Sequence, residues 1–516
     1  MTRQILGHTI GDLLRRTRKR LPDKVAIRCG STTWTYAQFD DVCSQLAAGF
    51  AEQGVALGDR VAILSRNSHA FAAVRFALAR IGAVLVPINF MLNEEGVRYI
   101  LDHSGATLLC VDSGLASLGQ AAQVGTQVKQ MVWLPGETAS QAPAGMLTFD
   151  QLIGSTAASP VRDFDGTALA QIVYTSGTES RPKGAMLTHG AVIAEYVSCL
   201  VDVEIAEGDL VLHALPLFHC AQLDVFLGPC VYVGATSIIT ATPSPENLLP
   251  LLAREQITSF FAPPTVWIAL LRSPQFDSTD ISKLRKGYYG ASIMPVEVLR
   301  ELQARAPQVR LWNLYGQTEI APMALVLKPE DQFRKAGAAG RAVLNVETRV
   351  VDEQMNDVGL GMVGEIVHRS PQLLTAYYRD AERTAAAFEG GWFHSGDLGT
   401  VDDEGYITVV DRKKDMIKSG GENVASREVE EAIYLLEGVS EVAVIGLSHP
   451  KWIEAVVAVV VPKAGCQLSE AAIIAHCHAH LATFKVPKRA IVCDALPKNA
   501  SGKVLKRELR TLYDGT

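Results

Sequence analysis

Hydroxyls, glycines and a lysine crowd one short stretch of this sequence, Tyr174-Thr175-Ser176-Gly177-Thr178-Glu179-Ser180-Arg181-Pro182-Lys183-Gly184. A strand-like run, Gln171 to Val173, leads into it, and a helix-like run begins at Thr188. Backbone amides, hydroxyls and an ammonium gathered in one turn make a cradle for phosphate. The stretch is not the G-x-x-x-x-G-K-[ST] loop of the common nucleoside triphosphatases, because its lysine precedes the glycine and Pro182 removes a backbone donor.

Other patterns invite chemistry and fail on context. Gly359-Leu360-Gly361-Met362-Val363-Gly364 spells G-x-G-x-x-G, but Glu365 to Arg369 reads as a strand where a dinucleotide site needs a helix, so a hairpin turn is expected. His476, His478 and His480 surround Cys477 on a helix-like run; without a nearby carboxylate they read as a polar outer face rather than a metal site. Arg15, Arg16, Arg18, Lys19 and Arg20 read as a solvated helix face, with weak peripheral contact to anionic lipid as the alternative. No G-x-S-x-G hydrolase elbow occurs.

The elements that must position the phosphate cradle follow a clear alternation. Val61 to Leu64, Val84 to Ile88 and Thr107 to Val111 are strand-like, with helix-like Ala70 to Ile81 and Leu92 to Asp102 between them, the pattern of a parallel doubly wound sheet. The alternation resumes after a polar stretch at Ser140 to Gly166, predicting a second sheet. Short strands separated by Gly and Asp between Glu347 and Val410 predict a small β-barrel-like subdomain, and the helix and strand patterns after the charged run Asp411 to Asp415 a compact C-terminal α+β domain. The expected division is therefore residues 1–411 and 412–516. With 516 residues, 48% hydrophobic and 20% charged, disorder is excluded. A net charge of -7, from 48 basic and 55 acidic residues, argues against nucleic acid as the main partner. Nine cysteines without a C-x-x-C pair read as reduced thiols, and no apolar run reaches the ~20 residues of a spanning helix, so a cytoplasmic protein is expected.

The phosphate stretch resembles the signature of the adenylate-forming superfamily, which holds acyl-CoA synthetases, firefly-type luciferases and nonribosomal adenylation domains. Further segments agree in order: Ala214 to His219, Tyr289-Gly290-Ala291-Ser292, Tyr315-Gly316-Gln317-Thr318-Glu319, Gly391 to Asp397, Asp411 to Asp415, Ser419-Gly420-Gly421-Glu422-Asn423 and Pro497 to Lys503. The likeness spans nearly the whole chain and is strongest to bacterial fatty acyl-CoA synthetases. It implies an AMP-forming acid–thiol ligase that uses ATP, Mg²⁺ and coenzyme A, making acyl-adenylate and pyrophosphate and then acyl-CoA and AMP.

The roles implied by the resemblance suit the chemistry. Attack of a carboxylate on the α-phosphate brings two anions together and needs a cation there, which Lys503 supplies. Glu319 would hold Mg²⁺, Thr318 would donate to the α-phosphate, and Thr175, Ser176, Gly177, Thr178 and Lys183 would hold the departing phosphates. Tyr315 would cover adenine, with Gly290, Ala291 and Ser292 along its edge; Asp397 and Arg412 would bind the ribose. Glu179 and Ser180 depart from the Thr and Gly of many relatives, placing a carboxylate beside the triphosphate. The C-terminal domain would turn about Lys414, withdrawing Lys503 and bringing Gly420 and Gly421 to line the coenzyme A channel. A homodimer is compatible with this scheme.

The acid pocket is expected from His219, Cys220, Leu223, Trp267 and Gly290, with His219 also counted among the catalytic groups. No Lys or Arg lies between Lys183 and Arg254, which disfavours a diacid, and His219 stands where amino-acid-activating relatives carry Asp. A medium- or long-chain fatty acid is the expected substrate, an aryl or cyclic acid the alternative. An adenylate-forming oxygenase of the luciferase type is less favoured, since the sequence ends in Asp514-Gly515-Thr516 and not the peroxisomal S-K-L.

Overall fold

A computed structural model describes residues 7–138, 140–157, 160, 163–175, 181–290, 292, 294–498 and 504–514. Strands Arg60–Leu64, Val84–Pro87, Leu108–Asp112 and Gln130–Leu134 run parallel in an eight-stranded sheet. Helices cover both of its faces, so these strands are apolar at nearly every position rather than at alternate ones. Leu169–Thr175 joins this sheet beside Val84–Pro87, and Lys183–Thr188 returns antiparallel to it. The phosphate stretch is thus the turn of a hairpin and does not open directly into a helix. The helix His189–Asp202 starts one strand later, its first turn capped by Thr188, whose hydroxyl accepts the Ala191 amide at 3.1 Å.

The second, nine-stranded sheet has Leu210–His213, Ser259–Phe261, Lys286–Gly290 and Arg310–Gly316 side by side and parallel. Packed in the core is helix His69–Ile81, capped by Ser68 at one end and stopped by Gly82 at φ 70°. Every residue of that helix except Arg80 is buried, which explains its apolar character all round. Its one buried charge, Arg75, is 1% exposed and pairs with Asp224 at 3.3 Å.

The expected barrel-like subdomain is instead an open four-stranded antiparallel sheet, Glu347–Val351, Gly364–Arg369, Phe393–Val401 and Ile407–Arg412. The outer strands Glu347–Val351 and Ile407–Arg412 are not paired with each other, so the sheet does not close. The G-x-G-x-x-G segment is the turn before Gly364–Arg369, with the Met362 amide donating to the Gly359 carbonyl at 2.9 Å.

Arg412 ends the last strand of this sheet. The small C-terminal unit is built on the long antiparallel pair Val439–His449 and Ile453–Pro462, with Ser426–Tyr434 and Glu470–His480 packed over a valine-rich core. On the second of these helices His476 bonds the Ala432 carbonyl through Nε2 at 2.9 Å and stacks on His480, so it docks one helix on the other. The basic run near the start, in helix Ile10–Arg20, is engaged internally: Arg15 with Asp12, Arg18 with Asp40 and Asp41, Arg20 with the Tyr232 carbonyl. Among the described residues no helix is long and apolar enough to cross a membrane.

Candidate active site

Both sheets present the C-terminal ends of parallel strands to one continuous cavity of about 2740 Å³, which the small domain covers. Open α/β sheets place ligand sites at such strand ends. Thr175, Lys183, His219, Cys220, Gly290, Ser292, Tyr315, Thr318, Glu319, Asp397, Arg412 and Lys414 all line it. Residues far apart in sequence therefore converge as expected. Ser176, Gly177, Thr178, Glu179, Ser180, Ala291 and Lys503 lie outside the described residues.

One corner gathers Tyr315, Asp397 and Arg412. Asp397 and Arg412 are direct cross-strand partners, and the Arg412 Nε lies 3.1 Å from Asp397 Oδ1. The Tyr315 hydroxyl donates to the other carboxylate oxygen at 2.6 Å, and burial, reinforced by Asp397, pushes its phenol well above the ordinary value. A hydrogen bond to a charged partner of this kind is worth about 1.5–3 kcal/mol. It locks the aromatic ring beside the Asp397 carboxylate. The turn after Tyr315 needs Gly316: a Cβ there would lie 1.8 Å from the Pro322 carbonyl oxygen.

A second corner gathers Thr318, Glu319 and Lys183. Thr318 and Glu319 begin a short 3₁₀ turn, Thr318–Ile320, whose tight geometry sets both side chains at the cavity. The Tyr377 hydroxyl donates to Glu319 Oε1 at 2.9 Å, and the Lys183 ammonium stands 5.3 Å from the centre of the same ring. Tyr377 was not anticipated from the sequence. Its position comes from the two-residue strand Ala376–Tyr377 pairing with Lys183–Thr188, a contact between distant segments that leaves no local spacing signal. Thr318 also touches Cys220, Oγ1 to Sγ 3.3 Å.

The acid side of the cavity departs from expectation. Trp267 does not line it: the side chain is 1% exposed, and its indole donates to the Tyr288 carbonyl at 3.0 Å. Helix Pro264–Arg272 turns Thr265 and Ile268 to the cavity, so Trp267 falls on the opposite, core face. Leu223 is likewise core, packed with Ile193 and Tyr196 in one cluster. The lining comes from Val225, Phe226, Phe261, Pro264 and Ile268 instead. Gly290 does face the cavity, yet a Cβ there would meet the Leu314 carbonyl oxygen at 2.4 Å. Its first role is close strand pairing, so enlarging it perturbs the sheet before it narrows the pocket. His219 accepts the Ala221 amide at Nδ1, 3.2 Å, which leaves Nε2 to carry the proton of the neutral ring.

At the domain junction, Lys413 donates its amide to the Gly396 carbonyl at 2.9 Å and its ammonium lies 3.2 Å from Glu365. Next to it Lys414 is brought down to about 8, by burial first and then by the Arg412 charge. Beside these cations an incoming polyphosphate gains favourable electrostatics. Gly420 and Gly421 form the tight turn between Ile417–Ser419 and Glu422–Val424, with φ 63° and 90°, and do not line the cavity. On the small domain Lys498 and Val504, bridged to each other, do line it.

A strand-end cavity lined by two large sheets and a small second domain is the architecture of an adenylate-forming enzyme. The chain belongs to the AMP-binding enzyme family, whose model matches residues 14–378, with the AMP-binding enzyme C-terminal domain at residues 428–503. It is an ATP-dependent, AMP-forming acid–thiol ligase that uses coenzyme A. It is 37% identical to a feruloyl-CoA synthase of Amycolatopsis over 95% of this chain and 96% of that protein. It is 35% identical to the long-chain-fatty-acid–CoA ligase FadD13 of Mycobacterium tuberculosis over 93% of each. The crystal structure of ATP-bound MatB from Rhodopseudomonas palustris superposes with a TM-score of 0.89 at 29% identity, covering 98% of this chain and 99% of that one.

Proposed function

We propose that this ligase activates a hydrophobic monocarboxylic acid, a medium- or long-chain fatty acid, through the residues just described. The observation that carries the reading is the wall running from Thr318 past Cys220, Leu314, Phe226 and Phe261 to Pro264 and Ile268, which holds no charged side chain. The lining cations belong to the phosphate hairpin, the domain junction or the small domain, apart from Arg383 on helix Ala381–Ala387, which pairs with Asp380 at 2.9 Å. A second carboxylate on the substrate would be desolvated without a partner. An aryl acid is the second reading, favoured by the stacked rings of Phe226 and Phe261, 4.7 Å between centroids, which present a flat wall, and by the similarity to a feruloyl-CoA synthase.

In this scheme Asp397 and Arg412 hold the ribose, Tyr315 covers adenine, and Lys183 with the hairpin turn holds the β- and γ-phosphates. Thr318 donates to the α-phosphate while Lys503 approaches from the small domain. Glu319 fits Mg²⁺, a hard cation that takes one carboxylate and fills its remaining positions with phosphate oxygen and water. Among the described residues no group of three or more His, Cys, Asp or Glu is arranged to hold a metal unaided, and a single carboxylate suits an ion carried in with the nucleotide. When bound, it neutralises charge on the leaving pyrophosphate. Lys498 and Val504 at the cavity and Gly420 away from it support an arrangement for the first half-reaction; rotation about Lys414 would exchange the two for thioester formation.

The test is a series of straight-chain acids from acetate to palmitate, with benzoate and cinnamate alongside, read as AMP release. Each buried methylene adds about 0.8 kcal/mol, so kcat/KM is expected to rise about fourfold per carbon until the pocket ends. A flat series, or an optimum at acetate or malonate, contradicts the fatty-acid reading. A clear maximum at benzoate or cinnamate establishes the aryl acid in its place.

A further inference from the structure

The acid-facing wall is held by a polar clamp buried behind it. Residues Ala221–Leu227 form a π-helical stretch, a rare, widened turn that recurs at functional sites and depends on tertiary restraint. Ala221, Val225 and Phe226 border the cavity, with Val225 and Phe226 almost wholly packed over, 3% and 0% exposed. Gln222 and Asp224, both 0% exposed, point away from it into the protein.

Their partners lie in different layers. Gln222 bonds His213 Nδ1 at 2.8 Å and accepts the Leu215 amide at 3.2 Å, tying the stretch to the nine-stranded sheet. Asp224 accepts from Gln171 Nε2 at 2.7 Å, and its other oxygen accepts from Arg75 Nη2 and the Tyr196 hydroxyl, each at 3.3 Å. Gln171 belongs to Leu169–Thr175, the strand that runs into the phosphate hairpin. Burial raises the Asp224 carboxyl above the ordinary value, with Arg75 and Gln171 opposing that rise. A buried ion pair is a poor source of net stability, and apolar residues of similar volume commonly serve as well. A carboxylate with donors on three separate elements supplies direction instead, fixing the rotation of the turn and hence where Val225 and Phe226 stand.

We infer that Asp224, with Arg75 and Gln171, is a positioning residue that sets the acid-binding wall and so determines acid selectivity, although it touches no substrate. This rests on the reading that the Val225 and Phe226 face receives the acid tail.

The experiment compares Asp224→Asn, the paired change Arg75→Met with Asp224→Leu, and Gln171→Leu, which leaves the ion pair in place. KM and kcat are measured separately for acid and ATP, the ratio of kcat/KM for decanoate against cinnamate is taken, and thermal midpoints are recorded. A misplaced wall is expected to raise the acid KM of the paired variant about tenfold and to change the decanoate-to-cinnamate ratio by a similar factor, the scale of a one-methylene misfit. The ATP KM is expected to stay within about twofold, because the Tyr315–Asp397 corner is untouched. Gln171→Leu is expected to shift the acid KM in the same direction by a smaller factor. If Asp224→Asn does not fold, the paired variant decides; if neither folds, Gln171→Leu decides. A folded variant with a lower midpoint but unchanged acid KM and selectivity overturns the proposal, as do acid and ATP constants that move together. Should the wild-type enzyme prefer a small polar acid, the hydrophobic-acid reading falls, and the same acid-against-ATP comparison with that acid still decides the role of Asp224.

Discussion

Replacing Lys503 with alanine is expected to lower acyl-adenylate formation by about 10²- to 10³-fold, equivalent to about 2.7–4 kcal/mol of transition-state stabilisation. The reaction drives a carboxylate onto an already anionic phosphate, so a cation aimed at the α-phosphate is worth most where charge develops and least in the ground state. Lys498 and Val504, the described residues nearest Lys503 in sequence, line the cavity. Acid-dependent ATP–pyrophosphate exchange measures the loss. Thioester formation from supplied acyl-adenylate is expected to keep its wild-type rate, since that step needs no phosphate attack. Equal losses in both assays would remove Lys503 from this role.

Lys414→Pro is expected to do the reverse. Proline holds φ near about −65° and restricts the residue before it as well, which stiffens the junction about which the small domain is proposed to turn. The Lys413 amide bond to Gly396 and the Asp415 and Met416 amide bonds to the Arg412 carbonyl define the arrangement captured here, with Lys498 and Val504 at the cavity. Pyrophosphate exchange is therefore expected to fall by less than about tenfold, while acyl-CoA synthesis falls about 10²-fold or more, the scale on which misplaced reacting groups lose rate. Parallel loss of both activities would argue against alternation of domains.

Much of the architecture is legible in the sequence because strands buried on both faces write unbroken apolar runs, and helices between them write their own period. The residues proposed for the nucleotide corner, Tyr315, Glu319, Asp397 and Arg412, are named in the sequence through the resemblance of their short segments to the adenylate-forming superfamily, and all four line the cavity. What the sequence hides are the relations between segments. The pairing of Asp397 with Arg412 and of Tyr377 with Ala185 depends on strand register, which no local pattern encodes. Lys183–Thr188 was missed as a strand because Pro182 and Gly184 read as loop, whereas pairing with Leu169–Thr175 overrides that preference. Trp267 and Leu223 were misplaced for a related reason. The cavity side and the core side of each element both carry apolar residues, Ile268 beside Trp267 and Val225 beside Leu223, so composition does not say which of them meets the cavity.

Ligase chemistry itself is tested most directly by following AMP, pyrophosphate and thioester together with ATP, Mg²⁺, a hydrophobic acid and coenzyme A, then omitting each substrate in turn. Steady turnover is expected to require both the acid and coenzyme A, with one thioester and one pyrophosphate formed per AMP. AMP release that continues undiminished without coenzyme A, or that consumes oxygen and yields no thioester, would contradict the account.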